Sequence, residues 1–154
     1  MDDGKEWYFA YGSNLCVEQM ARRTGPIGVG ENGPRIARLA GYRLAFNMRG
    51  DDGSLYANIA RPGDGVIGVL YRCDEAALAR LDAYEQGYDR LAVRVTLEGG
   101  EPRAAMAYVA RPEHTADEGA PTAAYLGIIL RGARRHGLPD AYVRSIEARG
   151  AAPH

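Results

Sequence analysis

One glutamate raises the first chemical question. In "ALARLDAYEQG", Ala77, Leu78 and Leu81 recur at helical spacing, and Glu85 falls four residues beyond Leu81 and seven beyond Leu78, on the same apolar stripe. A carboxylate turned toward a core is costly unless it is paired, hydrogen-bonded or protonated. Two readings are open. The helix frays before Gly87 and Glu85 bends back to water or pairs with Arg90. Alternatively, Glu85 enters an apolar pocket that raises its proton affinity toward neutrality, which suits a general acid/base.

The second candidate is an elbow. "YFAYGSNL", Tyr8 to Leu15, begins as a strand and stops on Gly12-Ser13-Asn14 before a helix-like run. Glycine allows a sharp turn and close backbone approach, and the N–H groups that open a helix can receive a carboxylate or phosphate. Ser13 and Asn14 add side-chain hydrogen bonding. An ordinary turn with Ser13 or Asn14 as helix N-cap is the plainer alternative. The stretch has neither the lysine of a P-loop nor a Gly-x-Gly-x-x-Gly pattern.

Other reactive residue types are scattered. Cys16 and Cys73 each stand alone without metal-ligand spacing, which predicts core thiols and no metal site. Ser13 has no neighbouring histidine. His114, His136 and His154 fall in a polar loop, near a helix end and at the terminus, where solvent exposure is expected. Arg49, Arg61, Arg90 and Arg111 could meet a second carboxylate on a larger substrate, although isolated arginines are usually solvated surface charge.

The elements that must position these residues read as α+β. The 154 residues fit one domain. "WYFAY" predicts a strand, "LCVEQMARRTG" a helix, and Arg35 to Val69 strand-like segments broken by turns. Asp52-Gly53 and Asp64-Gly65 there suit tight links between antiparallel neighbours. "DEAALARLDAYEQG" predicts a helix capped by Asp74 and closed by Gly87. "RLAVRVTL" and "RAAMAYVA" predict two strands around "EGGEP". Arg111 to Pro121 forms a long loop that could wall a site, and "TAAYLGIILRGARRHG" and "DAYVRSIEARG" predict two closing helices. Strands first and helices last, without alternation, imply a strongly curved or barrel-like sheet flanked by helices.

Bulk properties narrow the partners. A net charge of −1 gives no long-range pull toward nucleic acid or an anionic membrane. No run approaches the roughly 20 apolar residues that span a bilayer, and "MDDGKEW" is acidic where a signal peptide is basic, so a cytoplasmic location is expected.

Four blocks in order, "YFAYGSNL", "PGDGVIGVLY", "LDAYEQGYDR" and "APTAAYLGIILRGARRHGLP", cover almost the whole chain and resemble the γ-glutamylcyclotransferase family. The resemblance implies a small mixed β-barrel with helices and a substrate loop of Tyr11, Gly12, Ser13, Asn14 and Leu15. It also implies Glu85 as the catalytic glutamate and Tyr125 as a pocket-lining tyrosine. "EQGYDR" replaces a longer glycine-rich link to a tyrosine in animal relatives, so the resemblance assigns Tyr88 no role. The implied activity releases 5-oxoproline from an L-γ-glutamyl amino acid, peptide such as glutathione, or amine. It needs no cofactor, because the substrate's own α-amine is the nucleophile. A small-molecule partner and a monomer or homodimer are expected. The alternatives are removal of a γ-glutamyl protecting group from a biosynthetic intermediate, or a non-catalytic metabolite-binding module.

Overall fold

A computed structural model describes residues 4–150 of the chain. The described elements, in chain order, are β1 (Lys5–Ala10), α1 (Val17–Thr24), β2 (Arg35–Leu39), β3 (Arg43–Arg49), β4 (Leu55–Ala60) and β5 (Val66–Asp74). They continue with α2 (Glu75–Tyr84), β6 (Tyr88–Leu97), β7 (Pro102–Ala110), α3 (Ala123–His136) and α4 (Asp140–Glu147).

Five strands close a barrel in the order β1-β5-β2-β6-β7. Neighbours run antiparallel except where β1 meets β7 in parallel at Tyr8 and Met106. The mixed barrel expected from the resemblance is therefore present. β3 and β4 form a separate antiparallel hairpin, turned at Asp52-Gly53 as expected, where Gly53 adopts φ +81°. The expected link at Asp64-Gly65 is different: β4 and β5 are not neighbours. β5 is buried along most of its length, a pattern that suits a strand flanked on both sides, and it pairs with β1 and β2 instead.

The helices follow their sequence signals closely, with two exceptions that shape the site. Asp74 caps α2, accepting a hydrogen bond from the Ala77 amide at 2.8 Å. However, α2 ends at Tyr84, short of Gly87, and Glu85 is the residue that closes it. At the elbow, neither Ser13 nor Asn14 caps α1. A three-residue 3-10 turn, Ser13–Leu15, follows β1, and Cys16 precedes α1 without a side-chain cap. The Asn14 side chain is drawn away by the partners described below.

α3 begins under the Thr122 cap and ends on left-handed Gly137. It carries Gly132 against the elbow so closely that a Cβ there would lie 2.3 Å from the Leu15 carbonyl carbon. The 111–121 segment is tied along β3, with Ala116 N–H on the Asn47 carbonyl at 2.7 Å and Gly119 N–H on that of Phe46 at 3.1 Å. Among the described residues, no helix is long and apolar enough to cross a membrane.

Candidate active site

Glu85 leaves the end of α2 just after Leu78 and Leu81, both fully buried, so its carboxyl is carried inward with them. Its side chain is only 14% exposed. Arg90 is not its partner: that guanidinium holds Asp82 at 2.6 Å and Glu75 at 3.2 Å. Glu85 instead accepts a hydrogen bond from Asn14 Nδ2 at 3.0 Å and lies 3.9 Å from Arg23 Nη1. Burial raises its pKa to about 7, against the opposing pull of Arg23 and the Asn14 hydrogen bond, with the Asp82 charge adding to the rise.

Asn14 is the hub of the elbow. Its Oδ1 accepts from Gln19 Nε2 at 3.1 Å and Arg23 Nη1 at 3.2 Å. A guanidinium can only donate, so this contact orients the amide and turns Nδ2 toward Glu85 and the Tyr8 hydroxyl, 2.9 Å away. Gln19 also donates to Ser13 Oγ at 2.7 Å. From below, the Tyr71 hydroxyl donates to the Asn14 carbonyl at 2.7 Å, and His136 Nε2 lies 2.9 Å from the carbonyl of Leu15. His136 thus departs from the expected free exposure. It is half-buried against the elbow backbone, and burial lowers its pKa. His154 lies outside the described residues.

These groups open on a cavity of about 330 Å³, lined by Tyr11, Gly12, Ser13 and Asn14 of the elbow and by Glu85, Tyr88 and Tyr125 across from it. Leu15 is not on this wall. Its side chain is fully buried and its N–H closes the turn on the Gly12 carbonyl at 3.0 Å. The Tyr11 hydroxyl donates to the Tyr108 carbonyl at 2.6 Å. Tyr88 and Tyr125 clamp one residue of β4: the Ala57 N–H donates to the Tyr125 hydroxyl at 3.1 Å, and its carbonyl accepts from Tyr88 at 2.7 Å. Burial pushes Tyr125 up to about 12 and Tyr88 higher, so both hydroxyls keep their protons at neutral pH.

A wider neighbouring cavity, about 620 Å³, shares Met48, Gly50, Glu85 and Tyr88 with the first and brings Arg49, Arg90 and Arg111 to its wall. Arg111 is paired with Asp89 at 2.9 Å, and Arg61 lies elsewhere, over the ring of Tyr42. Cys16 and Cys73 are buried and free, and burial pushes Cys73 up to about 11. Among the described residues, no group of three or more His, Cys, Asp or Glu is placed to hold a metal ion.

Sequence reasoning missed Tyr8, Gln19 and Arg23. Gln19 and Arg23 sit four apart on α1, hence on one face of the helix that follows the elbow, and that spacing was the available signal. Chemically, the arrangement offers a carboxyl able to gain or lose a proton near neutrality, beside a rigid polar turn, within a space at the small end of ligand sites.

Comparison with known proteins agrees with this architecture. Residues 65–146 match the AIG2-like family. A γ-glutamylcyclotransferase from Mus musculus is 30% identical over 151 residues, covering 92% of this chain and 77% of the relative. That from Homo sapiens is 30% identical over 157 residues, covering 96% and 80%. A solved γ-glutamyl cyclotransferase superposes with TM-score 0.80 at 26% identity, over 97% of this chain and 90% of that one. A crystal structure of an uncharacterized Homo sapiens protein gives 0.84 at 26% identity, over 99% and 92%. Fold, sequence and relatives converge, and the chain belongs to the γ-glutamylcyclotransferase family.

Proposed function

We propose that the protein releases 5-oxoproline from an L-γ-glutamyl compound, with Glu85 as the proton carrier and no cofactor. The observation that carries this reading is Glu85 itself: a largely buried carboxyl with a pKa near 7, held by Asn14 on the wall of a small cavity. The α-ammonium of the substrate gives a proton to ionised Glu85. The freed amine nitrogen attacks the γ-carbonyl carbon and forms the lactam C–N bond. The bond to the leaving nitrogen then breaks as Glu85 returns the proton to it and the carbonyl re-forms. The second proton, which the ring nitrogen sheds on becoming an amide, passes by way of Glu85 to the departing amine, which leaves as an ammonium. One carboxyl serves both steps, an effect typically worth about 10²- to 10⁴-fold in rate.

Because the nucleophile is intramolecular, the cavity's main task is to fold the γ-glutamyl chain so that amine and carbonyl meet. Such positioning can supply up to about 7–11 kcal/mol of the barrier. The elbow residues Tyr11, Gly12, Ser13 and Asn14, with Tyr125 opposite, are the surfaces against which it would be folded. A Cβ on Gly12 would lie 3.1 Å from Ala57 Cβ and 3.4 Å from the Tyr125 hydroxyl, so a larger residue at this point of the elbow would crowd the cavity wall.

A second reading concerns the leaving group. The neighbouring 620 Å³ cavity is also lined by Glu85 and would accommodate a larger amine conjugate, as in removal of a γ-glutamyl protecting group. The test is 5-oxoproline production from L-γ-glutamyl dipeptides, glutathione and γ-glutamyl amines. Production from at least one is expected. Folded protein that consumes none of them would overturn the proposal, and a preference for bulky amines would favour the second reading.

A further inference from the structure

The elbow alone is a poor receptor for a full negative charge. Its 3-10 turn spans only Ser13–Leu15, too few peptide units to sum into a dipole of consequence. The Leu15 amide is already used within the turn. A substrate carboxylate taken out of water needs a countercharge, and among the residues lining the 330 Å³ cavity Arg23 is the one basic side chain.

Arg23 is placed and free enough to serve. Its guanidinium lies 4.8 Å over the ring of Tyr84, which holds its plane at the cavity edge. Its side chain keeps 23% exposure. Among the described residues its hydrogen bonding is a single contact, Nη1 to Asn14 Oδ1, which leaves most of its fork of donors for another acceptor. Its distance to Glu85, 3.9 Å, is too long for a hydrogen bond but puts a cation and an anion side by side. The amino-acid end of a γ-glutamyl group carries its ammonium and carboxylate on a single carbon, so its two receptors must also be neighbours.

We infer that Arg23 is the receptor for the substrate's α-carboxylate, working beside Glu85, which faces the α-amine. This rests on the cyclotransferase reading and adds a charge-specific subsite to it. A planar guanidinium favours carboxylate through paired N–H contacts, which a lysine ammonium reproduces only in part.

The test compares two lactams that differ by the carboxylate alone, 5-oxoproline and 2-pyrrolidinone, titrated by NMR into the wild-type protein, R23K and R23Q. The wild type should bind 5-oxoproline about 10- to 100-fold more tightly. R23Q should erase that gap, and R23K should keep part of it. Loss of binding that is equal for both lactams in R23Q would indicate a structural role and overturn the inference. So would a wild type indifferent to the carboxylate, a result independent of how the variants fold. A retained gap in R23Q would assign the carboxylate to the elbow amides and also overturn it. A carboxylate preference in a protein that releases no 5-oxoproline from any γ-glutamyl compound would support the subsite while removing the catalytic reading.

Discussion

Glu85 carries a cost that pH can expose. Its pKa, about 7 when folded, stands above the ordinary carboxyl value of 4.5, so folding favours its protonated form. Stability from this group is fully present below about pH 4.5 and is lost as pH rises through about 7, a swing of about 3 kcal/mol. Urea unfolding of wild type and Glu85→Gln should therefore diverge between about pH 4 and pH 8, the wild type losing relative stability as pH rises. Parallel profiles would contradict the assigned burial. The same ionisation is needed to accept the substrate's proton, so kcat/KM should rise with pH through about 7. Glu85 was legible in the sequence because helical phase carries direction: Leu78 and Leu81 point inward, and Glu85 follows them even though α2 stops one residue before it. Gln19 and Arg23 offered only their four-residue spacing on α1 as a signal and Tyr8 none, since their roles depend on Asn14 turning its amide toward Glu85, a contact across 71 residues of chain.

At the level of elements, the elbow is held from beneath by α3. Gly132 sits where a Cβ would meet the Leu15 carbonyl carbon at 2.3 Å and the Cys16 amide nitrogen at 2.5 Å, both backbone atoms unable to swing aside. Gly132→Ala should cost about 1–3 kcal/mol despite alanine's better helix propensity, and should raise KM by displacing residues 12–14. Thermal melts with steady-state kinetics would check both, and an unchanged KM would mean that α3 does not set the elbow. Asp74→Ala, which removes the α2 cap, should cost about 1 kcal/mol. Elements with strong local signals were readable: α3 between Thr122 and Gly137, and the β6–β7 hairpin around its glycine turn. The alternative of a side-chain cap at the elbow fails although Ser13 and Asn14 suit a cap locally, because Gln19 occupies the Ser13 hydroxyl and, with Arg23, the Asn14 amide oxygen.

Over the whole molecule, barrel closure joins the start of the chain to a strand far along it, with Tyr8 of β1 beside Met106 of β7. Composition and the order of strands before helices made α+β readable, but the strand order did not follow from the residues. β5 lies between β1 and β2 through non-local pairing, and its link from β4 looks like any hairpin turn. The patterns alone left the sheet as strongly curved or barrel-like, and the resemblance to a known family narrowed it to a mixed barrel. Because the same core includes Trp7 of β1 and Ile129 and Ile146 of the terminal helices, the chain should unfold as one domain. Trp7 fluorescence, reporting the barrel, and far-ultraviolet ellipticity, weighted to the helices, should give coincident urea transitions. Separate midpoints would contradict a single cooperative unit.

The central claim is that one carboxyl moves the proton while the rest of the cavity holds the substrate. Glu85→Gln keeps the side chain's shape and its ability to accept the Asn14 hydrogen bond, but cannot shuttle a proton. The decisive measurement is 5-oxoproline release by this variant from a γ-glutamyl dipeptide that the wild type consumes, with 5-oxoproline binding followed in parallel. Turnover should fall by about 10²- to 10⁴-fold with binding preserved. Near-wild-type release from the folded variant would contradict the claim.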